Sequence, residues 1–133
     1  MEQVSKRIAK LLKEKAIIIP SHARYVEIES IYLDKKYETI EFGDPDFNSS
    51  TKTICFAPTH EQVMKLYREK TNHHIEVMAY PHEDGCFYWA YKVMYLDISK
   101  LCYTKECNGA GFDSYEQACE QGIEYCIYNC PIE

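Results

Sequence analysis

Residues 86–96 place the strongest constraint on the fold of this chain. They read CFYWAYKVMYL, so a strand built from them is largely apolar on both faces. Such a strand normally lies in the middle of a sheet, with helices over one face and bulky neighbours or a partner over the other. Asp84 and Gly85, just before it, have the chemistry of a hairpin turn. Residues 74–80 alternate in polarity and are predicted to form the preceding strand.

A second hairpin is predicted nearer the N-terminus. Residues 24–33 and 37–42 are rich in Tyr, Val, Ile and Thr with short alternations, which favours two strands. Residues 34–36 form the predicted turn, and the alternation slips at Ser30, where we expect a bulge. Residues 43–57 have turn composition and are predicted to be a loop.

Two helices are predicted before the aromatic strand. The first spans residues 3–15, where apolar side chains recur at helical spacing, at Val4, Ile8, Leu11 and Leu12. The second begins at Thr59, with Gln62 in the reciprocal capping-box position, and ends at Asn72 in a left-handed cap. Its predicted inward face consists of Val63, Leu66, Tyr67 and Lys70.

A third helix is predicted near the C-terminus. Asp113 or Ser114 caps it, with Glu116 or Gln117 as the respective capping-box partner. Its predicted inward stripe consists of Tyr115, Ala118, Cys119, Ile123, Cys126, Ile127 and Cys130. The resulting order α-ββ-α-ββ-α predicts one α+β domain over residues 1–133. We expect an antiparallel sheet of about four strands covered by helices.

Charge and composition narrow the classes of partner. The chain has a net charge of −6, and residues 106–133 contain six acidic and no basic side chains, which disfavours duplex DNA. Lysines interrupt every apolar run near the N-terminus, and the longest aliphatic run is residues 16–19, so neither a signal peptide nor a membrane span is predicted. We therefore expect a cytoplasmic protein. We also expect it to carry no cofactor.

The seven cysteines suggest two readings. In a reducing compartment most of them should be free thiols. Cys102 and Cys107 are separated by four residues, and Cys126 and Cys130 lie one helical turn apart, which is a spacing that presents two thiolates to zinc. The helical cysteines are explained equally well as small core residues.

Other candidate chemistry is weaker. If the adjacent histidines His73 and His74 both lie in the strand, they point to opposite faces, and no orienting residue for a Cys-His enzyme is identifiable from spacing. Residues 108–111 read NGAG before the third helix, but no Walker lysine follows, so we interpret them as a turn.

Aromatic side chains supply the candidate binding residues. Phe87, Trp89 and Tyr91 project to one face of their strand and Tyr88 to the other. Stacked rings can bind single-stranded bases, although Lys92 is the one cation interleaved with them, and core packing explains the rings too. Trp89 and Tyr91 are the predicted binding residues.

Two stretches resemble a protein family. Residues 57–77 read APTHEQVMKLYREKTNHHIEV, and residues 115–118 read YEQA and run on to Gly122 and Ile123. They resemble small uncharacterised proteins of prophages and mobile elements in Bacteroides-type gut bacteria. The resemblance implies a small α+β fold and a phage-like origin, with no catalytic residues to transfer.

These observations favour a non-enzymatic protein-interaction module that binds a protein partner or self-associates, since aromatic residues are enriched in interface cores. A zinc-stabilised or single-stranded nucleic-acid-binding module and a small thiol enzyme are the alternatives.

Overall fold

A computed structural model describes residues 2–30, 35–42 and 51–132. The chain divides into two compact units, Gln3–Thr59 and His60–Glu133, which we call the N-terminal and C-terminal units. Each contains one three-stranded antiparallel sheet. The α+β class is confirmed, whereas the single sheet of about four strands is wrong. The single domain over residues 1–133 stays a prediction.

The N-terminal unit packs one helix on its sheet, whose strand order is β2-β1-β3. Its elements are α1 (Lys6–Glu14), β1 (Ala23–Ser30), β2 (Lys35–Phe42) and β3 (Thr51–Phe56). The Ser5 hydroxyl accepts a hydrogen bond from the Ile8 backbone N–H and caps α1. The predicted apolar stripe Val4, Ile8, Leu11 and Leu12 is buried, as expected for an amphipathic helix.

Three local predictions in this unit are corrected. Residues 51–56 form strand β3 where a loop was predicted, because pairing with β1 satisfies their backbone groups; residues 43–50 lie outside the described part of the chain. The irregularity of β1 lies between Tyr25 and Val26, on the β3 side, whereas Ser30 pairs in register with Lys35. Of the predicted turn at residues 34–36, residues 35 and 36 belong to β2, and residue 34 is not described.

The C-terminal unit places β5 between its two neighbours, in the order β4-β5-β6. Its elements are α2 (His60–Thr71), β4 (His73–Pro81), β5 (Phe87–Asp97), β6 (Cys102–Phe112) and α3 (Tyr115–Asn129). The central position of the aromatic strand is therefore confirmed, as is its hairpin with β4, where Gly85 adopts φ +83°. The full element order is α-βββ-α-βββ-α.

Strand β6 is absent from the sequence prediction. Residues 108–111 lie inside it, although their composition is that of a turn. Most of its side chains are exposed, so no apolar alternation marks it in the sequence. Pairing along the edge of β5 therefore overrides the local preference.

The helix ends follow the predicted chemistry more closely than the helix faces do. Asn72 ends α2 at φ +59°, and the Ser114 hydroxyl caps α3 by accepting a hydrogen bond from the Gln117 N–H. Lys70 is exposed and was wrongly assigned to an inward face, whereas Tyr115 is 41% exposed and its ring still packs against Trp89 of β5. In the described ranges, no helix has the length and apolarity needed to cross a membrane.

Candidate functional site

The sheet of the C-terminal unit has two unlike faces. Helices α2 and α3 pack on the face that carries Ile75, Tyr91 and Val93, all of which are buried, and we call this the helix face. The other side is called the open face, and none of its side chains is buried. Its residues are His74, Glu76, Met78, Tyr80, Tyr88, Ala90, Lys92, Met94, Leu96, Tyr103, Lys105 and Asn108.

Both predicted binding residues lie on the helix face. The Tyr91 ring lies over Gly109 of β6, where a Cβ atom would be 2.5 Å from the Tyr91 Cε1 atom. Burial raises the pKa of Tyr91 to about 12, and a contact of 3.6 Å between its hydroxyl and the Cys107 sulfur adds to the shift. Trp89 is half-buried and packs edge-on against Tyr115, with ring centroids 5.4 Å apart. Binding by Trp89 and Tyr91 stays a prediction, and their surroundings are those of core residues.

A cleft of about 550 Å³ opens at one end of the helix face. It is lined by Lys70, Thr71, His73, Tyr95, Glu106, Asn129, Cys130 and Pro131. Within it, ligand atoms of His73, Glu106 and Cys130 all lie within 4.8 Å of one another. The cleft therefore brings together a nitrogen, an oxygen and a sulfur donor from β4, β6 and the end of α3.

A chain of hydrogen bonds orients the His73 ring. The Thr71 hydroxyl donates to the Tyr67 carbonyl at 2.7 Å, and the same oxygen lies 2.9 Å from His73 Nδ1. Since the hydroxyl proton is already used, its oxygen acts as the acceptor and Nδ1 carries the proton. The other ring nitrogen, Nε2, points at a Glu106 carboxylate oxygen 3.1 Å away.

Glu106 reaches this site because β6 is irregular. Val93 pairs with Cys107 and Met94 with Lys105, so Glu106 is an extra residue in the strand. Strict alternation would send neighbouring side chains 106 and 107 to opposite faces. Instead the bulge lets Glu106 contact His73 while the Cys107 sulfur contacts Tyr91 on the same side.

A second buried thiol, that of Cys126, lies next to the cluster. Cys126 and Cys130 lie one turn apart at the end of α3, and a hydrogen bond joins their sulfur atoms. Burial raises the pKa of both thiols, and the charge of Glu106 acts in the same direction. A raised pKa is the opposite of the shift that activates a cysteine as a nucleophile.

The predicted zinc set is only half assembled. The structure brings Cys126 and Cys130 together, but Cys102 is exposed at the start of β6 and Cys107 contacts Tyr91. Among the described residues, the group with metal-binding geometry is His73, Glu106 and Cys130. No spacing rule identifies Glu106, because its orientation depends on a bulge. The opposite orientations of His73 and His74 were expected, and His74 stacks near Tyr103 across the open face.

The open face is a mixed aromatic and aliphatic surface. Tyr80 and Tyr88 face each other across β4 and β5 with ring centroids 6.3 Å apart. A polar row crosses the middle of the sheet, because Glu76, Lys92 and Asn108 are register partners. Apolar side chains lie on both sides of this row: Met78 and Ala90 on one side, Met94 and Leu96 on the other.

The N-terminal unit contains a separate apolar cleft of about 310 Å³. Helix α1 and strand β3 supply most of its lining, and the Lys13 ammonium donates to the Ile54 carbonyl at 2.6 Å.

No protein-family model, curated protein or solved structure matches this chain. The residues of the candidate site are therefore identified by their geometry alone.

Proposed function

We propose that this chain is a non-enzymatic module that binds a protein partner through the open face of its C-terminal sheet. The observation that carries the proposal is the asymmetry of that sheet: Ile75, Tyr91 and Val93 are buried under the helices in the middle of the helix face, while the open face has no buried side chain and keeps aromatic, Met and Leu side chains accessible. Tyrosine and methionine suit an interface because they combine large contact area with adaptable packing.

The chemistry of the open face favours a protein over a nucleic acid. Lys92, one of the few cationic side chains of the open face, lies opposite the acidic Glu76. Single-strand binders use a continuous cationic groove along their stacking rings. An amphipathic helix suits the surface better, since a sheet face is normally covered by helices. A matching helix carries apolar anchors on either side of a polar residue that meets the Glu76–Lys92 row.

The thiols support the non-enzymatic part of the proposal. A Cys-His enzyme needs a thiol of lowered pKa beside its base, whereas burial raises the pKa of Cys130 and both His73 nitrogens are directed at Thr71 and Glu106. A cytoplasmic location belongs to the same proposal, because all seven cysteines are free thiols. The phage-like or mobile-element origin is proposed on the motifs of residues 57–77 and 115–118.

Site-specific photocrosslinking tests the proposal. A benzophenone side chain replaces Tyr103, which is 55% exposed on the open face, or Tyr128, a control that is 59% exposed on α3. We expect a discrete cross-linked partner from position 103 and none from position 128. The adduct from position 103 should be lost in a Met94→Asp variant that keeps its circular dichroism spectrum.

Three results would contradict it. Equal adducts from both positions would mean that the open face has no special role. A cross-linked product of twice the chain mass would show that the open face binds a second copy of this chain and not a different protein. Salt-sensitive binding of a single-stranded oligonucleotide that is lost in Lys92→Ala would show that the open face binds nucleic acid and not a protein.

A further inference from the structure

The cluster in the C-terminal cleft has the donor set of a metal site. His73, Glu106 and Cys130 form the close group, and Cys126 lies next to it, with a hydrogen bond between its thiol and that of Cys130. These four side chains come from three elements of the fold. We infer that His73 Nε2, a Glu106 carboxylate oxygen and the sulfurs of Cys126 and Cys130 bind one zinc ion. This site is distinct from the open face and does not depend on the proposed partner.

The arrangement of His73 gives the first argument. With Nδ1 donating to Thr71, the second ring nitrogen, Nε2, is directed at a Glu106 carboxylate oxygen 3.1 Å away. A proton or a metal ion has to lie between these two atoms, and both atoms are common zinc ligands. The Thr71 contact is also the kind of outer hydrogen bond that fixes the tautomer of a zinc-binding histidine.

A buried hydroxyl gives a second, independent argument. Tyr67 is 0% exposed, and its hydroxyl makes no hydrogen bond with any described residue. It lies near enough to Cys126 and Cys130 for their negative charge to raise its pKa, after the larger effect of burial. A buried hydroxyl without a partner is costly. Metal-bound thiolates would provide the acceptor that the neutral thiols supply poorly.

The donors select the kind of metal. Two thiolates and an imidazole favour zinc over magnesium or calcium, which prefer oxygen ligands. Tetrahedral zinc holds its ligand atoms about 3.3–3.8 Å apart. The three donors already lie within 4.8 Å of one another, so none of their separations has to shorten by more than about 1.5 Å. Four protein ligands would leave no open position, so the ion would tie the end of α3 to β4 and β6 and would have a structural role. Lys70 in the lining offsets part of the negative charge.

Metal titration of the full chain tests the inference. The purified protein is stripped with a chelator under reducing conditions and titrated with Zn²⁺ against a chromophoric competitor, and with Co²⁺ in parallel. We expect one equivalent of Zn²⁺, together with Co²⁺ bands that show thiolate charge transfer. Cys130→Ala and His73→Ala should weaken Zn²⁺ binding at least about 100-fold.

Matched controls separate the site from general effects of substitution. His74→Ala changes the neighbouring histidine on the open face, and Cys119→Ala removes a buried thiol of the same helix outside the cluster. Both should bind Zn²⁺ within about twofold of the wild type, well below the 10–100-fold typical of outer-shell changes. If Cys130→Ala fails to fold, Glu106→Gln on the more exposed side of the cleft gives the same comparison.

Tyr67→Phe distinguishes a role in metal binding from a role in packing. Removing the hydroxyl should leave the metal-free fold as stable or more stable, while weakening Zn²⁺ binding by about tenfold or more. The inference is overturned if the stripped wild type binds no Zn²⁺. It is equally overturned if His73→Ala and Glu106→Gln bind Zn²⁺ as the wild type does.

Discussion

Replacing Gly122 with alanine sets two opposing effects against each other inside α3. Alanine gains about 0.5–1 kcal/mol of helix propensity over glycine. A Cβ atom at this position, however, would lie 2.8 Å from Ile75 Cγ2 and 3.3 Å from Tyr91 Cδ2. Ile75 is β-branched and 2% exposed, so its methyl group cannot move aside. Overpacking of this kind costs about 1–3 kcal/mol, and we predict a net loss of about 1 kcal/mol.

A double-mutant cycle isolates the clash. In an Ile75→Ala background the nearest obstructing atom is gone, so Gly122→Ala should stabilise the protein by up to about 1 kcal/mol. The predicted coupling between the two positions is therefore about 2 kcal/mol. Ile75→Ala alone costs about 2–5 kcal/mol, so all four proteins are compared in the same stabilising osmolyte by urea unfolding followed by circular dichroism.

Either of two results would contradict the predicted clash. If Gly122→Ala stabilises the wild type by the full propensity gain, then α3 does not approach β4 and β5 as closely as the structure has it. A coupling energy below about 0.5 kcal/mol would lead to the same conclusion, because separate sites add within that margin.

Three further predictions concern the cap of α3 and the reactivity of the thiols. Ser114→Ala removes the hydrogen bond of 3.1 Å to the Gln117 N–H and should destabilise the protein by about 1 kcal/mol in urea unfolding. Burial raises the pKa of Cys119 to about 11, so the folded thiol stays neutral in a pH range where the unfolded chain ionises. The stability that the neutral Cys119 thiol contributes is present below pH 9 and is lost as the pH rises toward about 11. The urea midpoint of the wild type should therefore fall over this pH range, and it should fall less steeply in Cys119→Ala. At pH 8, iodoacetamide should modify the exposed thiols of Cys86 and Cys102 well before Cys119.

Periodicity predicted those parts of the fold where apolar spacing and cap chemistry agree. The buried stripe of α1, the central position of β5 and the cap at Asn72 each follow from local pattern. Strands β3 and β6 do not, because their side chains are mostly exposed; β3 also pairs with β1, which another strand separates from it in the sequence, and β6 carries a turn-like composition and bulges. Local propensity is weak beside such pairing.

The candidate site residues also divide into those that local spacing predicts and those that tertiary packing decides. Cys126 and Cys130 were paired correctly because helical spacing fixes their separation. Glu106 could not be found, since a bulge sets its direction, and Cys102 and Cys107 were placed in the zinc set by their four-residue separation, which does not bring them to the cluster. The predicted rings Trp89 and Tyr91 share a face as alternation requires, but which face the helices cover is decided by tertiary packing.

The assignment of the two sheet faces carries the account, and hydroxyl-radical footprinting of the full chain tests it directly. Tyrosines of the C-terminal unit provide an internal comparison: Tyr103 on the open face is 55% exposed, whereas Tyr91 is 9% and Tyr67 0% exposed. We predict rapid modification of Tyr103 and of the open-face methionines Met78 and Met94, with Tyr91 and Tyr67 largely protected. Modification of Tyr91 at the rate of Tyr103 would show that the helices do not cover that face and would contradict the account.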